Sequence, residues 1–258
     1  MRNWANVAHG LQFGASYTFS KVLGSASTYG ASLNPFDIRH TNYGKLSYDF
    51  TNVMVINYIY QLPKLPKGTS FNNPVTRLFL NDWQVSGITT FQTGSPQNIT
   101  YSISGVSSAV LNRTITGLES VAPRPVLSAN PTLSKGSRTM YEYFNTTVVG
   151  LALKGSRGAD SSPYIFTGPG TNNFDASIFK NVPFTKVESR FLQLRCEMYN
   201  SLNHTQFSGI NTSATLSSTG AITNLPTALG GAGGRYGFGA VTSARSARVI
   251  QLALKLYF

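Results

Sequence analysis

The residues able to hold a metal, attack a carbonyl or move a proton are few: nine carboxylates, three histidines (His9, His40 and His204) and one cysteine, Cys196. Hydrolysis or group transfer needs such groups in fixed arrangements, a nucleophile beside its base or two carboxylates facing one bond. The acids Asp37, Asp49, Asp82, Glu119, Glu142, Asp160, Asp175, Glu188 and Glu197 fall into no HExxH, GxSxG or paired-carboxylate motif. The chain is therefore expected not to be an enzyme, with no cofactor and no metal. A single thiol forms neither an internal disulfide nor a multi-thiolate zinc site. His40 ends the polar run Asp37-Ile38-Arg39, which reads as solvated loop, and His204 lies between Asn203 and Thr205, a turn composition. The stretch GGAGGRYGFG, residues 230–239, lacks the Lys-Ser/Thr of a phosphate-binding loop and is expected to be a flexible loop entering the last strand.

Charge points the same way. Twenty-one Lys and Arg against nine acids leave a net charge of +12, yet only 12% of residues are charged, against about 25% in soluble domains. The basic residues are dispersed and no nucleic-acid-binding aromatic pattern accompanies them, so no nucleic-acid partner is expected. Between Asn112 and Gly158 six basic residues meet only Glu119 and Glu142, a surplus suited, on an outer surface, to lipopolysaccharide or an acidic ligand. Arg195 and Glu197 stand two apart, so in a strand they share a face and can pair. Such a pair either contacts another part of a larger protein or satisfies buried charge within a wall.

These groups must be positioned by strands. A chain 41% hydrophobic and 12% aromatic can fold. Its longest clean apolar run, residues 148–153, is far short of the roughly 18 a membrane helix needs. Residues 11–19 alternate Leu11, Phe13, Ala15, Tyr17 and Phe19 against Gln12, Gly14, Ser16 and Thr18. The same period of two predicts strands near 11–22, 50–62, 83–95, 173–181, 189–200 and 246–258. Gln193, Arg195, Glu197, Gln251 and Lys255 then face one side, towards a lumen. Leu192, Leu194, Cys196, Ile250, Leu252, Leu254, Leu256 and Phe258 face the other. Connections alternate long (23–49, 95–173, 201–245) and short (63–82, 182–189), which in a meander puts elaborate loops at one rim and turns at the other. Transmembrane β-barrels have this asymmetry, and ten residues tilted by about 40° cover about 25 Å, the height of an outer-membrane apolar band. Tyr17, Phe19, Trp83, Phe91, Tyr257 and Phe258 near the strand ends suit interfacial girdles. The fold expected is all-β: an antiparallel up-and-down transmembrane β-barrel segment of about six strands in one curved sheet, not closing alone, with 96–172 as a long extracellular loop region. The alternative is a soluble or surface-attached β-sandwich binding or adhesion protein.

Several blocks carry a resemblance: LQFGASYTFSKVLG, NPFDIR with NYGKLSYDFTNVMVINYIYQLP, NDWQVSGITTFQTGSP, NFDASIFKNVPF, LQLRCEMYNSLNHTQFSGIN and RYGFGAVTSARSARVIQLALKLYF. In order and content they resemble the C-terminal barrel of TonB-dependent outer-membrane transporters. They are most similar to the Oar-like, carboxypeptidase-regulatory-like-domain-containing receptors of acidobacteria; residues 101–170 are outside the match. The resemblance implies a place in the cell outer membrane of a Gram-negative bacterium and part of a receptor that takes up a large or scarce ligand, a siderophore, an oligosaccharide or a peptide. Implied partners are outer-membrane lipid and lipopolysaccharide, the remainder of the receptor (plug and N-terminal strands), the energy-coupling TonB system through that remainder, and the barrel-assembly machinery. That machinery would read the terminal alternation Ile250, Leu252, Leu254, Leu256 and Phe258. The family's signal peptide, plug domain and about 22 strands are not found in these 258 residues, so the chain is expected to span 1–258 of a partial receptor barrel that does not transport alone.

Overall fold

Strict alternation leaves a strand only one way to satisfy both faces and its backbone, which is to lie in a sheet with unlike environments on either side. In the computed structural model, which describes residues 3–7, 10–25, 39, 42–66, 73–153, 155–156, 158, 161–184 and 190–258, seven strands do so. They are β1 (Asn3–Val7), β2 (Leu11–Phe19), β3 (Asn52–Gln61), β4 (Trp83–Gln92), β5 (Thr171–Pro183), β6 (Phe191–Tyr199) and β7 (Val249–Tyr257). Each pairs antiparallel with the next in chain order, so the sheet is an up-and-down meander. Among the described residues β1 and β7 pair on one side only, so the sheet they form is open and closes no barrel. Among the described residues no second large sheet packs against it, as a sandwich would require.

Six of the seven strands lie where alternation predicts them, and β5 is longer at both ends than its apolar positions indicate. The additional strand, β1, is too short to show a period of its own. It joins through a tight turn in which Gly10 takes a φ of +84°, and a Cβ there would come within 2.9 Å of the Gln61 carbonyl oxygen. That combination requires glycine. The long connections (20–51, 93–170, 200–248) leave one rim and the short ones (62–82, 184–190) the other. In one short connection the helix Pro74–Leu80 begins at an Asn73 cap whose side chain accepts from the Thr76 amide.

The best-buried apolar core lies outside the sheet, in the long connections. The segment Thr100–Ile103 pairs in parallel with Ser213–Leu216, tying the connection after β4 to the one after β6. Phe207–Ile210 pairs with Val241–Ala244, and Val126–Leu127 with Val149–Gly150. Phe144, Phe238 and Leu216 are fully buried within this layer, with Phe166 and Phe238 set 4.5 and 5.3 Å from the Phe144 ring. Residues 96–172, expected as a long loop region, therefore supply much of a packed cap. The glycine-rich stretch 230–239 differs from the expected flexible loop: it ends at buried Phe238 and at Gly239, whose φ is +88° and whose added Cβ would lie 2.5 Å from Thr146 Cγ2. Its glycines permit close backbone packing, a role composition does not separate from flexibility.

The cap should accordingly unfold separately from the sheet when its centre is emptied. Phe238→Ala should cost the cap about 3–5 kcal/mol and speed proteolysis within 93–170 and 200–248. Circular dichroism should still report the β-sheet.

Candidate functional site

Register builds two unlike faces. On β6, period two brings Gln193, Arg195 and Glu197 to one side, opposite Asn181, Phe179 and Ser177 of β5 and Lys255, Ala253 and Gln251 of β7. The Arg195 guanidinium donates to Glu197 Oε1 at 3.1 Å through Nη1 and to Gln193 Oε1 at 2.8 Å through Nη2, and lies 4.5 Å over the Phe179 ring. Gln193 Nε2 donates in turn to Asn181 Oδ1 at 2.9 Å. Arg195 is thereby held by an anion, an amide and an aromatic face at once, leaving only its Nε buried without a partner. Gln251 and Lys255 share this face through their pairing with Glu197 and Gln193, but both are exposed and stand outside the network. The face continues across β4 with Gln84, Ser86, Thr90 and Gln92, and across β3 with Asn57 and Gln61. Val53, Val55, Ile59 and Ile88 interrupt it, which is why β3 alternates poorly in sequence.

The opposite face is apolar and open to its surroundings. Leu252 is 77% exposed, Leu254 63% and Phe258 93%. Leu194, Ile250 and Leu256 are exposed alongside them, and Leu192 is half-buried. A shallow depression of about 600 Å³ is bordered by Trp83, Ile178, Leu194, Cys196, Leu252 and Leu254. Removing a leucine side chain from water is worth about 1.5–3 kcal/mol, so this row calls for an apolar medium. Tyr17 and Phe19 lie on the same face at the long-connection rim. Tyr257 departs from the expected girdle: its parity puts it on the polar face, stacked 4.5 Å from Phe191. Chain position marks a strand end, whereas parity decides the face.

Two polar groups escaped the sequence reading. Lys180 has apolar-face parity near the short-turn rim, is buried, donates from Nζ to the Asn81 carbonyl oxygen and lies 5.4 Å from the Trp83 ring centre. A long stem carrying its charge to the rim explains how lysine fits there. Asp49, in the first long connection, is buried and accepts from the Val22 amide at 2.9 Å and the Thr51 hydroxyl at 3.1 Å, with Lys45 Nζ 3.4 Å away. Burial pushes its pKa up, but the amide, the hydroxyl and the ammonium together outweigh burial and hold the carboxyl below the usual carboxylate range. It pins the short hairpin Leu23–Ser25 with Tyr43–Lys45 against the start of β3. His204 lies just after the turn at 200–202, its carbonyl accepting from Asn200 Nδ2 at 3.3 Å and its ring 6.2 Å from Phe174. His9, Asp37 and His40 are outside the described residues. Among the described residues no three His, Cys, Asp or Glu side chains converge as a metal site would require.

Removing Arg195 alone should cost about 1–3 kcal/mol, because Glu197 and Gln193 lose a charged donor. Arg195→Met combined with Glu197→Gln should cost less than the sum of the two single changes in a double-mutant cycle of denaturant unfolding in micelles. At Asp49 the depressed pKa means that its stabilisation is complete above the unfolded carboxyl pKa of about 3.9 and is lost as pH falls through the lower folded value. Proteolysis near 20–51 should therefore accelerate only below about pH 4, and Asp49→Asn should abolish that acid step.

Compared with known families, the chain matches the model of an outer membrane beta barrel domain over residues 4–251. No curated protein and no solved structure gives a significant match.

Proposed function

The chain belongs to the outer membrane beta barrel domain family, whose place is the outer membrane of Gram-negative bacteria, and on that premise we propose that it is the C-terminal strand-and-cap portion of a TonB-dependent receptor. The observation that carries the reading is the ordered cap of some 120 residues, 93–170 with 200–248, at one rim of a sheet whose other rim has only short connections. Simple pores need little beyond strands and turns, whereas a receptor needs a shaped surface where ligand first arrives. The order and content of the strand blocks support the same subgroup. In this reading the Arg195 network lines the lumen, the row from Ile250 to Leu256 meets lipid, and β1 and β7 pair with the remaining strands. The ligand belongs to the large or scarce class, a siderophore, an oligosaccharide or a peptide, and this portion does not transport alone.

The test is made in cells carrying the intact receptor. Leu254→Arg should cost about 2–4 kcal/mol at mid-membrane and reduce the amount inserted in the outer membrane, whereas Lys255→Arg on the opposite face should not. Uptake of labelled ferric siderophores, oligosaccharides or peptides should disappear when the energy-coupling system is deleted, with insertion unchanged. Uptake that survives the deletion would refute the receptor reading while leaving the barrel intact.

A further inference from the structure

A second arrangement lies where the cap overhangs the apolar face. Register places Tyr17, Met54, Phe91 and Asn172 in one row across β2, β3, β4 and β5, all with apolar-face parity and all at the long-connection end. The cap leans over this row and encloses a cleft of about 830 Å³, to which it contributes Lys135, Arg138 and Tyr143. Arg138 is oriented by the cap itself: Nε donates to the Leu133 carbonyl oxygen at 3.1 Å, Nη1 donates to the Tyr143 hydroxyl at 2.8 Å, and the guanidinium lies 4.7 Å over the Tyr143 ring. Its Nη2 and the Lys135 ammonium make no hydrogen bond or ion pair among the described residues. Among the described residues no carboxylate lines the cleft. Two cations thus stand over an aromatic and thioether floor with no anion among the described residues to neutralise them. Below the floor the next row of the same face is Ala15, Ile56, Thr89 and Phe174.

The geometry points to a binding site for the phosphate-bearing headgroup of an outer-leaflet lipid, lipopolysaccharide in an outer membrane, with Lys135 and Arg138 meeting the phosphate and Tyr17, Met54 and Phe91 the start of the acyl chains. Cations above an apolar stripe match an amphiphile, because a soluble anion would use the first and leave the second in water. The depth agrees: the face meets lipid, and the long-connection end of the strands is where headgroups lie. The inference rests on the membrane reading of this face. It assigns the cap a function besides ligand capture, that of fixing the barrel's vertical position by holding the lipid around it.

The full chain in detergent micelles, titrated with fluorescent lipopolysaccharide, supplies the test. Lys135→Gln removes an exposed ammonium without touching the cap's own bonds and should weaken binding about fivefold, the effect of one cation near a charged membrane surface. Lys64→Gln at the opposite rim should change nothing. Dephosphorylated lipopolysaccharide should bind the parent chain as weakly as the parent lipid binds a Lys135→Gln, Arg138→Gln chain, with circular dichroism confirming that the cap remains folded. Equal affinity for the two lipids, or unchanged binding by Lys135→Gln, would overturn the proposal, and so would full displacement by millimolar inorganic phosphate, which would assign the cleft to a free anion. Failure of the membrane reading would show separately, as a chain that stays soluble and monodisperse without detergent.

Discussion

The constraint on which the rest depends is the pairing of backbone amides and carbonyls in a medium without water. Hydrocarbon offers no hydrogen-bond partner, so each spanning strand must satisfy its backbone against neighbours, and antiparallel meanders do this with the shortest possible connections. Here every internal strand of the sheet is paired on both sides in chain order. Once the ladder is set, side chains have only two directions available. The alternation of leucine with glutamine, arginine and glutamate on β6 and β7 then becomes a division between an apolar and a polar face.

That division determines how each face handles its liabilities. The apolar side keeps most of its leucines exposed, their partners being only the cross-strand neighbours that register supplies, such as Leu194 opposite Leu254. The polar side must manage charge, and it does so locally: Arg195 is met by Glu197, Gln193 and the face of Phe179 rather than by distant groups. A partly buried pair of this kind adds little net stability by itself, because desolvation offsets attraction. Its consequence is specificity of register, since a one-residue slip would carry Arg195 onto the apolar face.

The cap follows different physics. It lies outside the sheet, so it must build a core of its own, and it does so by combining connections from separate hairpins that the meander delivers to the same rim. Phe144 from one connection and Phe238 from another meet at 5.3 Å, a contact across 94 residues of sequence. The buried Asp49 clasp plays a similar part for the first connection, replacing an apolar core with three polar contacts. An ordered cap has a cost in chain entropy, which its buried aromatics offset.

The amino-acid sequence alone determined the six long strands, their order, the rim each connection leaves from and the facing of Gln193, Arg195 and Glu197, because period two is a local property that a strand carries wherever it goes. The five-residue β1 was not legible, since so short a stretch shows no period and pairs only because Gly10 turns it back onto β2. Nor was the cap: its apolar residues are scattered singly among glycine, serine, threonine and asparagine, and no local window contains Phe144 with Phe238 or Thr100–Ile103 with Ser213–Leu216. Parity overruled position at Tyr257, and length of side chain overruled parity at Lys180. Contacts between residues about a hundred apart depend on where the meander returns the chain, so only the tertiary structure could turn two polar connections into a cap with its own aromatic core and a cationic overhang above the apolar row.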